Sequence, residues 1–316
     1  MGYWCPSKNY IIANKQILSG LAILMVILTH TGINIFYPGF MGVDVFMFMS
    51  GYFLCTSYLK YSLSTFYTRR YKRILAIWLL LAIVSTLIEI LERGTELGIV
   101  DVICNLTTLS YYGLGGVFVD WYLSSLFLFY ILFPVFYKLM ASRWNIVILI
   151  SMLMGVFALF AIVDLHWRFE CAIARIPIFC MGIMAYTEGH NNCRKSMIFA
   201  GSSCLLLIPA VFLYMHKMVA TYYLFYLVAP ISLYMIGYIL YKLPMHKVLV
   251  SFLNFFGKYS LEIYVANITA LGTYYYFGLG RITGTLLLTI LFGTICICYN
   301  ACATTLIEGK KCYRKI

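Results

Sequence analysis

The fold is decided by residues 14–51, NKQILSGLAILMVILTHTGINIFYPGFMGVDVFMFMSG. Residues 17–29 are almost all apolar, which predicts a helix of membrane type, and His30 stands at its end. An ionisable side chain inside a membrane span costs a few kcal/mol at least, so it normally faces a protein interior or a water-filled cavity and has a partner. Asp44, just inside the second apolar run, is the nearest candidate partner for His30.

The composition extends this interpretation to the whole chain. Of the 316 residues, 63% are hydrophobic and only 11% are charged, and the mean hydropathy is +0.90, far outside the usage of soluble proteins. Apolar runs of about 20 residues recur from end to end, which is the length of a helix that crosses a bilayer. The sequence therefore predicts an all-α fold, a polytopic membrane helix bundle that forms one integral-membrane domain over residues 1–316.

The cysteines do not indicate a disulfide framework or a metal site. Their number, 11, is odd, and most of them lie inside apolar runs, where a free cysteine behaves as a small hydrophobic residue. Paired Cys and His spacings of the kind that hold a metal are missing from the sequence. No metal is therefore expected.

Ten spans are expected from the apolar runs. They lie near residues 10–29, 40–59, 74–91, 122–140, 146–163, 169–186, 197–215, 222–241, 260–277 and 284–307. An even number of spans puts both termini on one side of the membrane. The long connection at residues 92–120 contains a moderately apolar stretch, residues 106–118, which is either a re-entrant or interfacial piece or an ordinary surface loop.

The basic residues orient the bundle. With a cytoplasmic amino terminus, 18 of the 23 lysines and arginines fall on the inner side, which the positive-inside rule favours. The five that remain at or near the outer face are Arg93, Arg168, Arg175, Lys217 and Arg281. Both termini are thus expected in the cytoplasm. The net charge of +12 is explained by this topology, so we expect no nucleic-acid partner.

Several motifs, taken in their order and spacing, resemble the acyltransferase 3 family of ten-span membrane acyltransferases. The first span ends in His30 and is followed by GVDVFMFMSGYFL at residues 42–54 and FYTRRYKRILAIW at residues 66–78. Later segments agree with the same family pattern: DWYLSSLFLFYILFPVFY at residues 120–137, RIPIFCMGIMAY at residues 175–186 and FFGKYSLEIYVAN at residues 255–267. The resemblance covers most of the chain.

The resemblance implies an activity and a location. Such a protein lies in the cell membrane as a multi-pass protein and moves an acyl group, most often acetyl, from cytoplasmic acetyl-CoA or another acyl-CoA. The acceptor is a hydroxyl of an extracytoplasmic or lipid-linked glycan. Acyl-CoA is then a co-substrate, and other polysaccharide-assembly proteins are expected partners beside the glycan and the lipid bilayer.

The first span departs from the family pattern at one position. The family motif is an arginine followed by ten residues and then the histidine, and here His30 matches the histidine while Ser19 stands at the arginine position. Eleven residues at about 100° each bring Ser19 and His30 onto one helix face about 16 Å apart, so Ser19 is expected along the route of the donor. Lys15 lies within about 60° of that face and is a candidate for the missing cation, although a lysine at an inner helix end is also a topology signal.

The remaining family motifs give the candidate site residues. Arg70 and Arg73 form an Arg-x-x-Arg pair, with Arg69 beside them, and a guanidinium suits the phosphates of coenzyme A. The alternative is an ordinary basic inner loop. His30 is expected to be the general base that takes the proton of the acceptor hydroxyl, because imidazole titrates near working pH. Asp44 is expected to orient that ring, or else to serve only in capping or folding.

Five further polar or aromatic residues are expected at membrane depth around the substrate. Trp121 and Tyr130 are candidates for shaping the acceptor cavity, and Arg175 for neutralising a thioester or glycan charge. Glu262 is expected to pair with a cation from another span. Asn267 stands where many relatives carry a second histidine.

Two alternatives to an acyltransferase stay open on the sequence. A lipid-linked glycan flippase or transporter also needs many spans with a polar midplane, but it predicts inverted halves and Gly/Pro-broken helices, which the sequence does not show. A catalytically inactive relative that acts as a partner in surface-polysaccharide assembly is compatible with the serine at position 19. Coenzyme A release by the purified protein distinguishes the enzyme from both.

Overall fold

The structure, a computed structural model, describes residues 14–93, 97–113, 120–163, 167–188 and 246–307, together with residues 12, 236 and 239. All of its longer elements are α-helices, numbered here in chain order over these described residues. They are α1 (Lys15–His30), α2 (Met41–Lys60), α3 (Leu63–Arg93), α4 (Ile99–Leu106), α5 (Trp121–Met140), α6 (Asn145–Ile162), α7 (Trp167–Ile173), α8 (Arg175–Glu188), α9 (Lys247–Lys258), α10 (Ser260–Thr273) and α11 (Arg281–Ile307). Short 3₁₀ helices cover Asn34–Phe40, Leu109–Tyr112 and Tyr274–Phe277.

The all-helical prediction is confirmed over the described residues, and the protein is a multi-pass membrane protein. Five helical segments are long and apolar enough to cross a membrane: Asn34–Lys60, Leu63–Ile88, Trp121–Met140, Phe169–Glu188 and Arg281–Cys302. The helices Lys15–His30 and Asn145–Phe160 are apolar but shorter. The count of ten spans and the side of the termini stay predictions. The predicted spans at residues 197–215 and 222–241 lie outside the described residues.

Glycines allow α1 to approach α9 closely. A Cβ atom at Gly20 would overlap the carbonyl oxygen of Leu253 in α9, and one at Gly257 would overlap the carbonyl oxygen of Gln16 in α1. Each helix thus contributes one glycine to the contact with the other. Helices in lipid gain no hydrophobic free energy from meeting one another, so small residues that bring backbones into van der Waals contact are a main source of association.

The contact between α2 and α8 has the same reciprocal form. A Cβ atom at Gly51 would overlap the carbonyl oxygen of Phe179, and one at Gly182 would overlap the carbonyl oxygen of Phe48. Gly42 of α2 lies in the same way against the carbonyl oxygen of Ala22 in α1. These contacts fix α2 between α1 and α8, the two helices that carry His30 and Arg175.

The described part of the connection after α3 packs on the bundle. In α4, the buried Asn105 donates from Nδ2 to Thr86 Oγ1 over 3.2 Å. The indole nitrogen of Trp78 in α3 donates to the carbonyl oxygen of Leu106 over 2.9 Å, and Tyr111 in the following 3₁₀ helix is only 2% exposed. Residues 99–112 therefore contact α3 through α4, while residues 114–118 of the stretch predicted as re-entrant, interfacial or loop lie outside the described residues.

The reciprocal glycine contact makes a direct prediction for stability. Gly51→Ala and Gly182→Ala each place a methyl group on a backbone carbonyl, and overpacking of this kind costs roughly 1–3 kcal/mol. We expect both variants to melt at lower temperature than the wild type in detergent, measured by size-exclusion chromatography after heating. Gly155→Ala is the matched control, because a Cβ atom at Gly155 meets nothing within 4 Å. Equal melting of all three variants would contradict this account of the helix contact.

Candidate active site

Two cavities lie towards opposite ends of α1. The first, called the cationic cavity, is lined by Lys15, Ser19, Phe46, Met49, Ser50, Phe53, Leu54, Arg70, Arg73, Ile74, Tyr122, Leu126, Tyr130, Ser260, Leu261 and Tyr264. The second, called the histidine cavity, is lined by Val26, Thr29, His30, Tyr37, Phe40, Val43, Trp121, Cys171, Arg175, Tyr264, Ile268 and Arg281. Fifteen helical steps of about 1.5 Å put Lys15 and His30 roughly 22 Å apart along the axis of α1.

The cationic cavity brings together three basic side chains from α1 and α3. Lys15 approaches from the start of α1 with its Nζ 4.5 Å from the centre of the Phe53 ring, and Arg70 and Arg73 come from the first turns of α3. Arg70 donates from Nη2 to Ser57 Oγ, while its buried Nε has no hydrogen-bond partner among the described residues. The described lining contains no Asp or Glu. A cavity of this charge is complementary to an anionic ligand.

Ser19, at the position of the family arginine, lies in this same cavity. Its hydroxyl is 3.9 Å from Met49 Sδ, and the side chain is buried. Lys15 stands one helical turn earlier and supplies a cation to the same cavity. The face of α1 that was predicted to carry Ser19, with Lys15 close to it, therefore lines the cationic cavity.

Arg69 lies outside the cationic cavity, and Trp121 and Tyr130, which were predicted to shape one acceptor cavity, line different cavities. Arg69 is exposed, and its guanidinium lies 4.6 Å from the centre of the Tyr61 ring, away from the cavity that holds Arg70. Residues next to one another on a helix point about 100° apart, so the two arginines cannot share one ligand face. Tyr130 lines the cationic cavity, whereas Trp121 lines the histidine cavity, so the two aromatic residues do not shape one common space.

In the histidine cavity, the imidazole of His30 is half-buried and contacts Asn267 of α10. His30 Nδ1 lies 2.5 Å from Asn267 Oδ1, and Asn267 is fully buried. The structure thus engages one ring nitrogen, as an orienting group would. The predicted residue for this contact was Asp44, and the residue found is Asn267.

Asp44 pairs with Arg175 instead. Arg175 Nε donates to Asp44 Oδ1 over 2.9 Å, and both side chains are almost fully buried. The guanidinium also lies 5.0 Å from the centre of the Trp121 ring, and Nη1 donates to the carbonyl oxygen of Cys171. A buried carboxylate is stable only beside an opposite charge or strong donors, and the glycine contact between α2 and α8 brings Arg175 within reach.

Glu262 also has a different partner from the one predicted. Its Oε1 accepts a hydrogen bond from Asn300 Nδ2 of α11 over 2.5 Å, so an amide stands where a cation was expected. In the described part of the chain, Glu262 lines neither of the two cavities. It joins α10 to α11.

Tyr264, Tyr122 and Asp120 were not predicted as site residues. Tyr264 lines both cavities, and its ring centre lies 4.8 Å from that of Tyr122. Its hydroxyl donates to Asp120 Oδ2 over 2.9 Å, while Asp120 Oδ1 accepts from the backbone N–H of Leu123 over 2.6 Å. Burial raises the pKa of Asp120 to about 6, although both hydrogen bonds favour the ionised form. The signal was available, because an Asp directly before an apolar run is typical of a helix N-cap.

Arg281 was also not predicted as a site residue. Its Nε donates to the backbone carbonyl oxygen of His30 over 3.1 Å, and the side chain lines the histidine cavity. Gly32 has a φ of +80°, which favours glycine, and a Cβ atom at this position would lie 2.9 Å from the same Nε. The cation is thus fixed beside the general-base candidate.

Comparison with known proteins gives one match. The family model described as an acyltransferase domain, acyltransferase 3, matches residues 17–303 and so covers nearly the whole chain. No curated protein and no solved structure matches the chain. The matched region includes His30, both arginines of the Arg-x-x-Arg pair and the described helices from α2 to α10. The chain therefore belongs to the acyltransferase 3 family.

Proposed function

We propose that the protein transfers an acetyl group from cytoplasmic acetyl-CoA to a hydroxyl of an extracytoplasmic or lipid-linked glycan, in the cytoplasmic membrane, with His30 as the general base. Family membership supports a membrane acyltransferase that acts on a polysaccharide or glycan. The observation that carries the finer proposal is the course of α1. One helix carries Lys15 and Ser19 in the cationic cavity and His30 in the histidine cavity.

The cationic cavity suits the phosphates of the donor. Coenzyme A carries several phosphate charges, and Lys15, Arg70 and Arg73 are three basic side chains without an acidic residue in the described lining. A guanidinium can bind two phosphate oxygens at once, while the ammonium of Lys15 acts as a point charge. With the phosphates held there, the flexible arm of the donor carries the thioester past Tyr264, which lines both cavities.

The histidine cavity suits the transfer step. Asn267 holds one ring nitrogen of His30, and the other takes the proton of the acceptor hydroxyl as its oxygen attacks the thioester carbonyl carbon. The carbon–sulfur bond then breaks, and the leaving thiolate takes the proton from the imidazolium. The products are the acetyl ester and free coenzyme A, so atoms and protons balance without a covalent enzyme intermediate.

Arg281 contributes charge to the same step. Negative charge develops on the thioester carbonyl oxygen during the attack, and a cation positioned beside that oxygen stabilises the charge. Arg281 is fixed by its bond to the His30 carbonyl and lines the cavity with His30. The second arginine in the lining, Arg175, is neutralised by Asp44 and serves instead to hold Trp121.

The cationic cavity predicts which arginines bind the donor. Arg70→Gln combined with Arg73→Gln is expected to weaken acetyl-CoA binding by at least about 10-fold, since hydrogen bonds to charged groups contribute about 1.5–3 kcal/mol. The loss should be smaller at high salt, where the wild type also binds less tightly. Calorimetry on purified protein measures both effects.

Arg69→Gln is the matched control for this experiment. It removes the same charge from the same helix but lies outside the cationic cavity. Donor affinity close to that of the wild type is expected. Equal losses in Arg69→Gln and in the double variant would reduce the Arg-x-x-Arg pair to a topology signal.

The general base makes the sharper prediction. His30→Ala is expected to lower acetyl transfer by about 10²–10⁴-fold with normal amounts of folded protein, the usual range for a positioned base. Wild-type transfer should decline as the pH falls through the titration of the imidazole, because imidazolium cannot accept a proton. That acid limb should be missing from the residual activity of the alanine variant.

The readouts are coenzyme A release by purified protein and acetylated glycan by mass spectrometry of intact cells. Asp44→Asn should have an effect of a different kind, since it removes the carboxylate that accepts from Arg175 Nε in the bundle interior and so lowers the amount of folded protein. Full transfer by His30→Ala would reject the catalytic assignment. Absence of coenzyme A release from the wild type itself would favour a partner role in polysaccharide assembly.

A further inference from the structure

A chain of hydrogen bonds runs from His30 through α10 into α11. Asn267 Oδ1 lies 2.5 Å from His30 Nδ1, and Asn267 Nδ2 lies 3.0 Å from Thr289 Oγ1. The Thr289 hydroxyl in turn donates to the backbone carbonyl oxygen of Thr285 over 2.5 Å. Asn267 is 0% exposed and Thr289 is 5% exposed, so bulk water has little access to these bonds.

The far end of this chain fixes the direction of every bond in it. A backbone carbonyl can only accept, so the single hydroxyl hydrogen of Thr289 is used on Thr285. Thr289 Oγ1 can then only accept from Asn267, which must present its NH₂ group to Thr289 and its carbonyl oxygen to His30. A reversed amide would put an oxygen against the Thr289 oxygen with no hydrogen between them, and a buried polar group left unsatisfied costs about 1–3 kcal/mol.

We infer that Asn267, held in this orientation by Thr289, is a positioning residue that keeps neutral His30 as the Nδ1–H tautomer. Because Asn267 offers an oxygen acceptor, His30 Nδ1 carries the proton and donates it. Nε2 then has the free lone pair. The inference rests on the proposed function only in what that lone pair is used for, since the tautomer itself follows from the contacts.

The residue type matters as much as its position. An amide does not titrate, so the acceptor offered to His30 is the same at every physiological pH. A carboxylate at position 267 would add a buried charge that needs a partner, and Asn267 avoids that cost. A histidine, which many relatives carry at the corresponding position, would have a tautomer and a charge of its own to be set.

Thr289→Val tests the inference, because valine keeps the shape of threonine and removes only the hydroxyl. The Asn267 amide then loses the group that distinguishes its two orientations, and His30 should become a mixture of both tautomers. Thr294→Val is the matched control. Thr294 lies on the same helix and makes the same kind of bond, from Oγ1 to the Ile290 carbonyl oxygen over 3.0 Å, on the exposed side of α11.

The tautomer is read directly from ¹⁵N-histidine NMR of the full-length protein in lipid, at a pH at which His30 is neutral. His30→Gln assigns the resonances, since the chain has five histidines. In the wild type and in Thr294→Val, Nε2 should give the resonance of an unprotonated nitrogen, and in Thr289→Val the protonated form should appear as well. A proton on Nε2 in the wild type, or an unchanged spectrum in Thr289→Val, would overturn the inference.

Kinetics give the second readout. Thr289→Val should lower kcat in proportion to the fraction of His30 that carries its proton on Nε2, about 2-fold for an even mixture, with KM for acetyl-CoA unchanged, since the donor contacts lie in the other cavity. A merely structural role would instead lower the amount of folded protein and leave the tautomer alone. Should His30→Ala keep its activity, the proposed function fails while the NMR result still decides the tautomer. The two ideas can therefore fail separately.

Discussion

The position of α1 depends on the close approach that Gly20 and Gly257 allow between α1 and α9. In water, two apolar helices would associate to escape the solvent, but in lipid this driving force is missing and backbone contact must replace it. A side chain at either glycine would separate the helices by the width of a methyl group or more. The same helix carries His30 at its other end, so the placement of the candidate base rests in part on two residues that carry no chemistry.

Three polar pairs in this bundle join helices that are distant in sequence. Asp44 with Arg175, Glu262 with Asn300, and His30 with Asn267 each join two helices, and their partners are 131, 38 and 237 residues apart. Each pair removes a polar group from contact with lipid, where an unsatisfied group is costly. The pairs therefore select one arrangement of the helices as well as stabilising it.

The sequence was sufficient to predict the helical class and the membrane-spanning character of the chain, while the count of ten spans stays a prediction. It also predicted that Lys15, Ser19 and His30 share one face of α1, because helix periodicity is a local property. The identity of the partner of His30 was not predictable in the same way. Asp44 was the nearest acid in the chain. The packing of α10 and α8 decides which residue faces His30. That packing depends on the glycines of the α1–α9 and α2–α8 contacts, which are far apart in the sequence. Arg70 and Arg69 likewise differ only in the direction in which their side chains leave the helix. A sequence motif does not show which of these directions faces the cavity, because the positions of the neighbouring helices are not part of it.

Tyr264 has a consequence for the membrane as a whole. Two cavities that approach each other from opposite ends of a helix are a hazard in a membrane that stores energy as an ion gradient, because polar space continuous across the bundle would conduct. The Tyr264 ring packs against Tyr122 and its hydroxyl donates to Asp120, so aromatic surface lies at the side chain that lines both cavities. If the thioester passes Tyr264 as we propose, the same side chain has to admit a thin acyl chain and still exclude protons.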